Sequence, residues 1–160
     1  MRSQRDGFSV VELVIVVAII MVILVIALPG LVHTTIARNQ GAALSSLRTV
    51  NAAEFTYKST YTTGYSSSLA QLGPPASGNP SPAAAGLVDS ALASGKKSGY
   101  SFTYTAAPPM DGTIQHYTLT ANPITPGATG QKFFFTDESN KIHVNNLHPA
   151  NASDALFGSE

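Results

Sequence analysis

From Val10 to Val32 the chain carries a single charge, Glu12, in a run otherwise made of Val, Leu, Ile, Ala, Met, Pro and Gly. No other feature limits the fold so strongly. Twenty or so apolar residues, at about 1.5 Å each, match a hydrocarbon layer of roughly 30 Å. A core helix of that length would be out of proportion in a chain of 160 residues. The run therefore predicts a membrane-inserting helix. After Thr56 the composition changes to Ser, Thr, Gly, Pro and Ala, which predicts an apolar stalk carrying a polar head. The head is large enough to bury a small core.

Bulk properties remove several function classes. The formal net charge is +0, and charged residues make up 11% of the chain. There is no global field to gather nucleic acid or acidic substrates, and no basic footprint of a DNA-binding surface. The absence of cysteine excludes disulfide staples, thiolate zinc sites and thiol catalysis, and leaves either side of a membrane open. No serine lies in a G-x-S-x-G elbow, no glycine-rich phosphate loop is present, and no H-E-x-x-H occurs. An enzyme is not expected.

Glu12 decides between readings of the N-terminus. A cleaved secretory signal fits the basic start, Arg2 and Arg5. However, the run exceeds the usual 7–15 residues or so and ends in no A-x-A site. A plain single-pass anchor fits the length but gives Glu12 no purpose. A carboxylate within a membrane helix costs about 2.5–3.5 kcal/mol on insertion scales, so a partner should exist.

The sequence Gly7, Phe8-Ser-Val-Val-Glu12, with a short basic leader before it and the apolar run after it, resembles the cleavage signal of type IV prepilins and type II secretion pseudopilins. The close match covers residues 1 to about 32. The resemblance implies a leader, 1–7, removed between Gly7 and Phe8 by a prepilin peptidase on the cytoplasmic side. It implies N-methylation of the new Phe8 terminus, and pairing of that amine with Glu12 of a neighbouring subunit. Opposite charges attract strongly in a low dielectric, and removing one partner of a buried pair costs about 3–5 kcal/mol. Pro29, followed by Gly30, occupies the place where pilin helices kink or locally melt. The implied partners are other copies in a homo-oligomeric filament, the peptidase, and an inner-membrane assembly platform with its ATPase. Nucleic acid is not expected. The implied location is the bacterial inner membrane, N-terminus cytoplasmic and head periplasmic, and then a pilus or pseudopilus. Filament tasks such as cell adhesion are not distinguished.

Past Pro29 the pattern becomes amphipathic. Ile36, Ala43, Leu44, Leu47, Val50 and Phe55 recur at helical spacing, with Arg38, Gln40, Arg48, Asn51 and Glu54 largely between them. This predicts one helix from about Phe8 to Tyr57, with 8–32 as membrane or filament-core segment and 33–58 as an amphipathic half packed against the head. Residues 59–98 are expected to connect, with a short helix near 87–92. Residues 99–160 are expected to form the sheet and a tail.

Strand signals follow at Tyr100–Thr105, His116–Ala121, Lys132–Thr136 and Lys141–Asn145, with turns at 108–112 and 137–140. The expected fold is α+β: a long hydrophobic-then-amphipathic helix on a small antiparallel sheet of three or four strands, the layout of pilins. His33, His116, His143 and His148 are scattered, and surface roles explain them better than a metal. Asp137, Glu138 and Asp154 are weak calcium candidates without EF-hand spacing. No other cofactor is expected. Phe55, Tyr57, Tyr61 and Tyr65 are expected to pack under the head rather than stack on single-stranded nucleic acid. Asn151-Ala-Ser153 matches a glycosylation acceptor.

Overall fold

The computed structural model describes residues 9–158, with the side chains of 9–24 and 33–158. Two compact units are present, Met1–Thr35 and Ile36–Glu160. Helix α1 is Val10–Thr60, α2 is Leu69–Leu72 and α3 is Ser90–Ala93. The strands are β1 Lys96–Lys97, β2 Tyr100–Ala106, β3 Tyr117–Pro123, β4 Phe133–Asp137, β5 Ile142–Asn145 and β6 Ala155–Leu156. They form one antiparallel sheet in chain order, β1-β2-β3-β4-β5-β6.

The strand count corrects the expectation of three or four. The four longer strands lie where alternation placed them, within two residues. Two-residue strands, β1 and β6, extend the sheet at its edges. Such short pieces carry no alternation to read, and short edge strands also limit unwanted pairing with other chains.

Strand residues of period two turn one face of the sheet inward. Tyr100, Phe102, Leu119, Ala121 and Phe134 are buried there. Register places Phe102 opposite Ala121, and Ala121 opposite Phe134. From α1 the same cluster takes Ala43, Leu47, Val50, Ala53 and Tyr57, and from the connector Leu69, Leu72, Val88 and Leu92. Each large apolar side chain removed from water contributes about 1.5–3 kcal/mol.

Turn chemistry sets the connections. Asp111 and Gly112 have φ of 50° and 77°, and Met110 and Thr113 exchange both backbone hydrogen bonds. That is the type I′ geometry an Asp-Gly pair favours. Gly64, at φ 80°, brings the segment after α1 against Ile114, whose carbonyl accepts from Tyr65 N–H at 2.9 Å.

The amphipathic stripe needs one correction. Phe55 was expected in the core and is 73% exposed. Asn51 and Glu54, expected on the polar side, are buried. Helical arithmetic explains the exchange. From Val50, position 54 lies about 40° around the helix and position 55 about 140°.

Candidate assembly site

α1 begins at Val10, so Ser9 precedes it and Glu12 sits in its first turn. Ser9 and Glu12 have the spacing of a capping box, and the helix N-terminus favours a carboxylate there. Leu13 N–H donates to the Ser9 carbonyl at 3.1 Å. Gly7 and Phe8 lie outside the described residues. The helix continues through Pro29 and Gly30.

Every residue from Ser9 to Leu24 is exposed, on all sides of the helix. Val10 is 76% exposed, and Ile15, Ile19 and Ile23 are each more than half exposed. A helix apolar all round normally lies in a protein core or a membrane. Among the described residues no helix is long and apolar enough to cross a membrane. The described apolar side chains run from Val10 to Leu24, about 22 Å of helix against a layer of roughly 30 Å. The side chains of 25–32, also expected in the span, lie outside the described residues.

The second unit holds a polar network that the sequence reading missed. The Glu54 carboxylate has no exposed surface. It accepts from the Ser66 backbone N–H at 2.9 Å and from the Ser66 hydroxyl at 2.5 Å. The Tyr104 hydroxyl donates to the Ser66 carbonyl at 2.9 Å. Alongside, the Tyr117 hydroxyl donates to Asn51 Oδ1 at 3.0 Å, and Asn51 Nδ2 donates to Thr136 Oγ1 at 2.9 Å. The Tyr104 and Tyr117 rings stack at 5.4 Å. Burial pushes both phenols well above their ordinary range, and the Glu54 charge adds to this. The signal for this network was the helical spacing of Leu47, Val50, Glu54 and Tyr57.

The remaining candidates meet in pairs rather than in one cluster. Glu138 faces His116 at 2.8 Å. Asp137 accepts from Ser139 N–H in its own turn. Asp154 accepts from Asn151 N–H and the Asn145 amide, which hold its carboxyl below the usual range. His143 Nδ1 meets the Asp154 carbonyl, and His148 lies beside Asn145. Among the described residues no group of three His, Asp or Glu could hold a metal ion. The weak calcium candidates Asp137, Glu138 and Asp154 have different partners: Ser139, His116, and Asn151 with Asn145. Of the four aromatics expected under the head, Tyr57 is buried and donates to the Pro82 carbonyl, and Tyr65 packs edge-on against Tyr117. Phe55 stands clear.

Residues 2–28 match the family model of the prokaryotic N-terminal methylation motif. The chain thus carries a prepilin signal like that of type IV pilins and pseudopilins. No curated protein and no solved structure matches the chain.

Proposed function

We propose that the chain is the precursor of a structural subunit of a type IV pilus or pilus-like filament, with a pilin-type fold and no catalytic role of its own. A prepilin peptidase cuts between Gly7 and Phe8 and methylates the Phe8 amine. The inner-membrane platform and its ATPase then move the subunit from the membrane into the filament. Helices pack through the apolar surface of α1, and the Phe8 amine pairs with Glu12 of a neighbouring subunit. Pro29 lacks the N–H of an ordinary helical residue, which makes it the place where α1 bends or melts on packing. The observation that carries this reading is the coincidence of the methylation motif over 2–28 with a helix whose apolar side chains are exposed on every side.

The absence of any cysteine pair keeps a pseudopilin of a type II secretion system as the second reading. It lacks the disulfide-bounded loop that many adhesive pilins share. Abundance separates the two, since a major pilin gives surface fibres at native expression and a pseudopilin gives them only when overproduced.

Glu12→Gln tests the assembly step. Gln preserves a capping box but removes the charge. The expected result is a processed subunit that stays in the membrane and is lost from filaments. Normal incorporation of Glu12→Gln beside the natural chain would reduce Glu12 to a helix cap.

A further inference from the structure

Phe55 stands on a side of α1 that has little else to offer. Ala52, one turn before it, is also exposed. The hydroxyls of Thr49, Thr56 and Ser59 donate to the carbonyls of Ser45, Ala52 and Thr56 within the helix. Arg48, about 10 Å along the helix from Phe55, is exposed and meets no carboxylate among the described residues. Lys58, on the next turn, lies over the Tyr65 ring at 4.4 Å. A bare aromatic ring is thus flanked by two cations on an otherwise smooth helix side.

A complementary surface exists on the sheet. A groove of about 430 Å³ is lined by Ala106, Pro108, Phe135 and Ala152, together with Asp137 and Glu138. A dry cavity of about 150 Å³ holds a benzene ring, so a phenylalanine and its small neighbours fit. The Asp137 carboxylate accepts from the Ser139 N–H and hydroxyl, and Glu138 faces a histidine; neither carboxylate meets a lysine or arginine among the described residues.

We propose that Phe55 of one subunit seats in this groove of a second copy of the chain, with Arg48 turned toward Asp137 and Glu138. Apolar fit holds the ring, and the charges fix the register and disfavour wrong partners. The two surfaces differ, so the contact is heterologous. Such contacts propagate into open helical arrays when the rotation does not close. The inference deepens the filament reading and rests on it.

The chain contains no cysteine, so engineered thiols report this contact alone. Full-length Ala52→Cys/Ala152→Cys filaments, treated with a short bis-maleimide, are expected to give a ladder of dimers, trimers and longer products. Either single variant is expected to give none, since neither surface meets itself. Arg48→Glu is expected to abolish the ladder, and its combination with Asp137→Arg and Glu138→Arg to restore it. Filaments that form without a ladder, or dimers from a single variant, would overturn the contact. A ladder from chains that retain Met1 would leave the contact standing and overturn the filament reading. If the cysteine variants do not assemble, Phe55→Ala reads the same contact. Because Phe55 is exposed, its melting temperature should be unchanged while filament yield falls about tenfold or more, the loss expected of an interface anchor. Unchanged yield would overturn the contact.

Discussion

Glu54 is a carboxylate without a cation, enclosed where α1 ends and held by the N–H and hydroxyl of Ser66. Its removal would leave the Ser66 N–H buried and unanswered. Glu54→Ala is therefore expected to lower the stability of the 36–160 unit by about 1–3 kcal/mol in urea unfolding. An unchanged midpoint would mean that water replaces the carboxylate at no cost. The tyrosines add a pH dependence. Burial pushes Tyr100 up to about 12, and Tyr104 and Tyr117 are raised as well. A folded-state pKa above the unfolded one favours the protonated form in the fold. The stabilising contribution is thus complete below about pH 10, the ordinary phenol value, and is lost as pH rises through 12. Urea midpoints should be level from pH 8 to about 10 and drop above it. At this scale the stripe was drawn too loosely: Phe55 was counted at helical spacing with the core positions and Glu54 between them, although position 54 lies closer to Val50 around the helix than position 55 does. Spacing alone ranks them correctly.

The longer strands were legible because half of each faces the core and alternation follows from burial. The Asp-Gly turn was legible because few residues accept positive φ at adjacent positions. β1 and β6 were not, since two residues have no period. α3 was foreseen near 87–92 and lies at Ser90–Ala93, capped by Asp89 Oδ1, which accepts from Leu92 N–H at 3.0 Å. The Lys97 ammonium at 2.6 Å, then the Leu92 N–H, hold the Asp89 carboxyl below its ordinary range. Its contribution is complete above about pH 4 and is lost as pH falls through the depressed folded value. Asp89→Ala should cost about 1 kcal/mol at neutral pH, and less in acid, by urea unfolding. Gly64 is a sharper test of the join between α1 and the sheet. A Cβ there would run into the Ile114 carbonyl oxygen, at a φ of 80°. Gly64→Ala should destabilise the unit by about 1–3 kcal/mol, read as a lowered melting temperature.

At the scale of the molecule, the core cluster draws its residues from Ala43 onward. The unit Ile36–Glu160 should therefore fold when produced without the preceding residues, with a cooperative thermal transition by circular dichroism; a gradual, non-cooperative melt would show that it depends on them. The first unit is legible in the opposite way. Its sequence foretold an apolar helix, but only the Gly7-Phe8-Glu12 pattern and the methylation motif over 2–28 give that helix a purpose beyond anchoring. The most direct measurement is the mass of the mature chain's N-terminal peptide. A subunit beginning at N-methyl-Phe8 is the expected result, and a chain that keeps Met1 or begins beyond Leu28 would contradict the filament-subunit function.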